Sequence, residues 1–149
     1  MPTRPHVALL IESSRAYGRG LLLGIAQYAR LHGNWAIYHQ ERAIDDPAPR
    51  WLRQWRGDGV IARIVNPSLV RDLARLKLPT VDVRGLHALP GVPLVETDDR
   101  AVMQQAIEHL RERGYERFAY CGFAGANYSE RRLTYCRQTL DNLALPLEV

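Results

Sequence analysis

Short apolar runs alternate with segments of helical period along nearly the whole chain, and this alternation constrains the fold more than any other feature. Residues 6–11 are continuously apolar, the mark of a strand buried on both faces rather than one with a solvent side. Ser13 and Ser14 then offer a turn or helix cap. A helix is expected over about 17–31, with Leu21, Gly24, Ile25 and Tyr28 inward and Gly33 closing it. Residues 35–38, rich in strand formers, make the second strand.

The pattern continues. Asp45-Asp46-Pro47-Ala48-Pro49 is a loop that starts a short helix carrying Trp51, Leu52 and Trp55, and residues 57–62 turn into a third strand. Asn66-Pro67-Ser68 opens a helix with Leu69, Val70, Leu73 and Leu76 inward, followed by a strand over 79–83 and an irregular crossing over 84–91. A fifth strand over 92–96 leads to Thr97 or Asp98 as cap of a helix over about 99–113, with Met103, Ala106, Ile107 and Leu110 inward and Gly114 ending it. A sixth strand over 117–122, a loop of small residues and a helix over about 129–143 complete the order. Strands alternating with helices predict an α/β fold, a parallel sheet covered by helices on both faces.

Composition fits a packed core: 46% of residues are hydrophobic and 24% charged. The longest apolar runs, 6–11 and 20–25, fall far short of the roughly 18 residues that span a bilayer. Glu12 and Arg15 interrupt the N-terminal run too early for a signal peptide, so a cytoplasmic protein without a membrane partner is expected. The formal charge is +4 and Lys77 is the only lysine. Arginine-biased codon usage accounts for that first, and a phosphate-binding surface second, because the cations are scattered. Cys121 and Cys136 lack metal or redox spacing and are expected to be buried free thiols.

In open α/β sheets ligands bind beyond the carboxyl ends of the strands. There the chain places Glu12, Ser13, Arg15 and Tyr17, then Arg63 and Asn66, then Asp82 and Arg84, then Glu96 to Asp99, and finally Asn127, Ser129, Arg131 and Arg132. Carboxylates, guanidiniums, hydroxyls and an aromatic ring suit a polyol, whose hydroxyls both donate and accept. Ser13, Asp98 and Ser129 read first as helix caps. Catalytic readings find less support. Gly18 and Gly20 only echo a dinucleotide fingerprint, the five histidines are scattered, and no nucleophile elbow or zinc pair is visible. No enzyme activity, metal or cofactor is expected. Trp51 and Trp55 share a face, for core packing first and a partner surface second. No helix-turn-helix pair appears. The rival reading, a small flavodoxin-like nucleotide-binding protein or enzyme, lacks a phosphate-cradling glycine loop after the first strand. A transporter's solute-binding component would need an export signal.

Several segments taken in order carry a resemblance. They are residues 7–19 (VALLIESSRAYGR) and 24–28 (GIAQY), WRGDGVIA at 55–62, ETDD at 96–99, HLRERG at 109–114 and RFAYCG at 117–122. Together they resemble the start of the sugar-sensing domain of xylose operon regulators. That resemblance implies a periplasmic-binding-protein-like type I domain of the lactose-repressor kind, in which two α/β lobes close on a pentose in the cleft between them. It implies an arabinose-regulator-type DNA-binding domain at the C-terminus, absent from this chain, through which alone DNA would be bound, and a homodimeric activator of pentose catabolism. Residues 1–114 would form the N-terminal lobe and 115–149 the beginning of a truncated second lobe, the apolar stretch 143–149 being a cut through a crossover. Loop matching implies Ser13, Tyr17 and Asp82 as sugar contacts of the first lobe and Arg132 of the second, and Glu12 joins them as a hydrogen-bonding candidate. Weak or absent sugar binding is expected of such a chain by itself, since the polar groups cannot converge from both sides.

Overall fold

The apolar run near the N-terminus becomes the middle of a parallel sheet. In the computed structural model, which describes residues 4–44, 46–83, 86–87 and 89–149, β1 (His6–Leu10) pairs with β2 (Ala36–His39) on one side and β3 (Gly59–Ala62) on the other. Next come β4 (Thr80–Val83) and β5 (Leu94–Val95), in the order β2-β1-β3-β4-β5, with every pair parallel. The sheet and its flanking helices are the α/β architecture that the alternation predicts. Val7 to Ile11 are buried without alternation, as in a parallel strand covered on both faces.

The chain packs as two units, 1–96 and 97–149. In the first, strand residues Ala8, Leu10, Val60, Ala62 and Ile64 meet Leu69 and Leu73 of α2 (Pro67–Leu76) and Leu52. A fully buried leucine of this kind contributes about 1.5–3 kcal/mol. Asn66 caps α2, its Oδ1 accepting from the Leu69 N–H at 2.9 Å. The tryptophan segment is a single turn of 3-10 helix, Arg50–Gln54, closed by Trp55. Trp51 and Trp55 pack on the core and form a ring cluster with Tyr38, so the packing reading holds.

Helix α1 (Ala16–His32) turns a different stripe inward from the one its apolar residues suggest. Gly18 and Ala29 are buried and Leu21, Leu22 and Ile25 half-buried, whereas Gly24 and Tyr28 are exposed. The cause lies at the first turn. A Cβ on Gly18 would collide with the Glu12 carbonyl oxygen and lie 2.9 Å from the Glu12 carboxyl carbon, so the helix enters with its glycine edge against Glu12, two residues beyond β1. Tyr28 instead contacts the His32 and Trp35 rings at 4.9 and 5.6 Å.

The second unit contains α3 (Asp99–Arg111), β6 (Phe118–Ala119), α4 (Asn127–Asn142) and β7 (Leu147–Glu148). Its core is Ile107, Phe118, Cys136 and Leu140. Helix α3 packs on α4 and groups with the second unit, whose first residue is Thr97. Ala106 and Leu110, expected inward, are exposed. Residues 143–149 hold structure of their own: Ala144 takes the left-handed conformation at φ 55°, the Leu145 N–H donates to Leu140 O at 3.0 Å, and β7 pairs parallel with β6. Both cysteines are free, Cys136 buried and Cys121 exposed, the latter against expectation because β6 ends two residues before it. Among the described residues no helix is long and apolar enough to cross a membrane, and no cluster of three or more histidine, cysteine or acidic side chains could hold a metal.

Candidate functional site

The strand order reverses direction at β1, whose chain leads first to β2 on one side and then to β3 on the other. The crevice at the carboxyl ends of β1 and β3 is therefore the topological switch point where open α/β sheets hold ligands. Glu12 leaves β1 there and Arg63 leaves β3, and their side chains form a buried ion pair, 2% and 9% exposed. The Arg63 N–H donates to Leu10 O at 3.0 Å, which fixes its backbone against β1. Its guanidinium lies 5.2 Å from the centroid of the Tyr17 ring, and that tyrosine is 40% exposed. Carboxylate, guanidinium and ring are thus stacked in sequence, with the ring outermost.

Ser13 sits beside this stack. Its N–H donates to Arg42 O at 3.1 Å and its carbonyl accepts from Arg19 at 3.0 Å. Its Oγ is buried without a hydrogen-bond partner, so the cap reading fails: Arg15 is the N-cap of α1, and no side chain bonds there. A buried hydroxyl without a partner costs about 1–3 kcal/mol. Asp82, at the end of β4, is buried, and its Oδ1 accepts from the Ile64 N–H at 3.3 Å, which ties it to the residue after Arg63. Burial holds Arg42 below the usual arginine range, against the opposing pull of Asp46 and Glu12. Arg84 and Asp45 lie outside the described residues.

The second unit repeats the arrangement. Asp98 is the cap of α3, accepting from the Ala101 N–H at 3.0 Å, and Asp99 turns the other way into the unit. The Asp99 carboxylate is buried and accepts from Arg132 Nε at 2.8 Å and Arg131 Nε at 3.2 Å. The Arg132 guanidinium lies 5.5 Å from the Tyr128 centroid. Its terminal amino groups have no hydrogen-bond partner among the described residues, leaving the fork edge for a pair of neighbouring oxygens. Ser129 is not a cap: helix α4 begins at Asn127, and the Ser129 Oγ accepts from the Phe123 N–H at 2.9 Å, holding the preceding loop.

The structure therefore joins Glu12 and Tyr17 through Arg63, sets Ser13 next to Glu12 in the chain and Asp82 against Ile64, and holds Arg132 by Asp99 in the other unit. Glu12 is committed to Arg63. Arg63 and Asp99 belong to the strand-end polar residues that the sequence offers but not to its sugar-contact candidates, and Tyr128 belongs to neither. The available signal was one of charge and position, an arginine directly after an apolar strand and an acid directly after another, and it becomes a pair only once β1 and β3 are known to be neighbours. No nucleophile and base stand in hydrogen-bonding reach of one another within either cluster. What both clusters offer is fixed donors, acceptors and a ring face.

Known proteins resemble this chain in sequence and in fold. The family profile described as the XylR N-terminal domain matches residues 6–100. The xylose operon regulatory protein of Escherichia coli (strain K12) is 33% identical over 126 residues, which cover 80% of this chain and 31% of that protein. The solved structure of the xylose-binding transcription activator xylR matches with a TM-score of 0.75 at 29% identity, over 94% of this chain and 36% of that one. A LacI transcriptional regulator from Rhodococcus species matches with a TM-score of 0.77 at 22% identity, over 97% of this chain and 56% of that one, and shares the fold. The chain spans about a third of the length of the curated relatives it matches.

Proposed function

The chain belongs to the XylR N-terminal domain family, and from that premise we propose that it is the sugar-sensing part of a transcription regulator whose ligand is xylose or a related pentose. Ser13, Tyr17 and Asp82 of the first unit contact the sugar, with Tyr17 against its C–H face, and Arg132 is the sugar-binding candidate that the second unit carries. Glu12 acts through Arg63. The observation that carries this reading is the Ser13 hydroxyl, buried without a partner at the switch point beside a ring backed by a neutralised arginine. A neutral polyol supplies the missing partner, and Glu12 balances the charge of Arg63 behind the ring.

Sugar binding then acts by population shift. A ligand moves an equilibrium only as far as its affinities for the two states differ, and reversing a 1:99 ratio takes about 10⁴-fold. The output passes to DNA through a separate C-terminal helix-turn-helix domain, in a cytoplasmic homodimer and without enzymatic turnover.

The test is an amide-resolved NMR titration of this chain with D-xylose, D-ribose and L-arabinose, beside a thermal-shift screen of nucleotides and flavin. Pentose should perturb Ser13, Tyr17 and Asp82 with weak, millimolar affinity, and Ser13→Ala and Asp82→Ala should weaken it further. Micromolar or tighter binding would refute the expectation of weakness. Perturbations elsewhere, or stabilisation by nucleotide or flavin alone, would overturn the sugar reading.

A further inference from the structure

A second cavity lies at the opposite end of the sheet in the first unit. It has a volume of about 400 Å³ and is lined by residues that lead into β3 and β4, Trp55 to Gly57 and Leu76 to Leu78, together with Arg53, Asp72 and Arg75. The switch-point residues follow the carboxyl ends of these strands, so a ligand in this cavity would be distinct from the sugar.

Three arginines and one carboxylate face the cavity, an excess of two positive charges. Asp72 is buried, and its carboxylate reaches only the Arg53 Nε, at 3.5 Å. Arg56 donates only to the carbonyl of its neighbour Trp55, at 3.2 Å. Arg75 has no partner among the described residues. It ends α2, where the helix dipole favours one cation, but that accounts for one charge and not for three. Trp55 belongs to the same wall, and its Nε1 is buried without a hydrogen-bond partner. Gly57 lets that indole lie against the chain, since a Cβ there would come within 2.6 Å of both the ring carbon beside Nε1 and the His6 carbonyl. The wall is part aromatic and part cationic.

We propose that this cavity binds a small molecule bearing a phosphate or carboxylate group. The guanidinium forks of Arg56 and Arg75 take the oxyanion, and Trp55, Leu76 and Leu78 pack on the rest of the ligand. Guanidinium forks match both oxyanions bidentately, and the volume suits one small ligand. The cations converge on a cavity rather than run along a stripe, which favours a metabolite over a nucleic-acid backbone.

Tryptophan fluorescence and calorimetry of this chain test the site, using inorganic phosphate, phenyl phosphate and benzoate as probes; the last two separate the sources of the oxyanion. Saturable one-to-one binding is expected, tighter for phenyl phosphate than for inorganic phosphate. Removing two charge-assisted contacts with Arg56→Gln/Arg75→Gln should weaken it at least about tenfold. Arg75→Gln alone, at an exposed side chain that bonds to nothing, gives the same direction without risk to the fold. Ser13→Ala should leave it unchanged, which separates this site from the sugar reading. The proposal is overturned by no saturable binding, by equal loss on replacing the remote pair Arg111 and Arg113, or by binding of duplex DNA without binding of any small probe.

Discussion

Arg63→Met isolates the pair on which the switch point is built. Truncating the guanidinium leaves the Glu12 carboxylate, 2% exposed, without the cation that bonds to it, Arg42 acting on it only through its charge. Breaking one side of a buried pair costs about 3–5 kcal/mol, because the remaining charge cannot recover its hydration. For the 96 residues of the first unit, typical stability is roughly 5–14 kcal/mol, so the variant should lose a large part of it. The melting temperature should fall by more than about 10 °C. Glu12→Leu should cost a similar amount by stranding Arg63. The double variant Glu12→Leu/Arg63→Met replaces the pair by apolar groups and should return to within about 1 kcal/mol of the parent, since such replacements are neutral or stabilising. All three tryptophans, Trp35, Trp51 and Trp55, lie in the first unit, so urea unfolding followed by tryptophan fluorescence reads this unit and not its neighbour. A coupling energy above about 2 kcal/mol from the mutant cycle is expected. A single variant costing less than about 1 kcal/mol, or a double variant as costly as the sum of the singles, would refute the burial argument.

Gly18→Ala should destabilise by about 1–3 kcal/mol by overpacking against Glu12, while Gly20→Ala, whose Cβ meets nothing within 4 Å, should stabilise α1 by roughly 0.5–1 kcal/mol; urea titration of both decides. Ellman's reagent should label Cys121 at once in the folded chain and Cys136 only on unfolding. Burial raises the Cys136 pKa, so the folded state holds that proton more tightly than the unfolded one. Its contribution is full below the ordinary thiol pKa and is lost as pH rises through the raised value, a slope that Cys136→Ala should flatten in pH-dependent melting. Ala144→Gly removes a side chain from the left-handed region, where it costs roughly 1–2 kcal/mol, and should raise the melting point of the second unit; no change would mean that the turn is held from elsewhere.

Local chemistry made the sheet, the capping residues Asn66 and Asp98 and the α2 core face readable, because each rests on residues a few positions apart. Tertiary contact governed what was not readable. Helix α1 buries Gly18 because Glu12 lies against it, a contact that no helical periodicity encodes. Gly114, at φ 83°, marks a helix end correctly, yet the partner of that helix, and hence the boundary at 96, is set by packing on α4. Strand β7 is two residues long, too short for any period to register. Arg63 stood in plain view after its strand, but its partner is 51 positions away and becomes a neighbour only through the strand order.

Both units use one device: a buried carboxylate orients a guanidinium, and the guanidinium stacks on a tyrosine. Glu12, Arg63 and Tyr17 form it in the first unit, and Asp99, Arg132 and Tyr128 in the second. The device explains how an arginine-rich chain can present a surface suited to a neutral ligand, since a bare guanidinium would prefer an anion. It does not choose among pentoses, because a ring face and a neutralised pair treat epimers alike. Epimers differ in the direction of one hydroxyl, and strong discrimination arises where the wrong sugar leaves a buried polar group of the site unpaired. Only two buried side-chain polar atoms lack partners among the described residues, and of these the Ser13 Oγ alone lies at the switch point. Under the proposed sugar reading, Ser13 is the first-unit residue expected to select between epimers. Ser13→Ala should narrow the ratio of affinities for D-xylose and D-ribose more than it lowers either one, whereas a uniform loss for both would place the discrimination on Asp82 or Arg132.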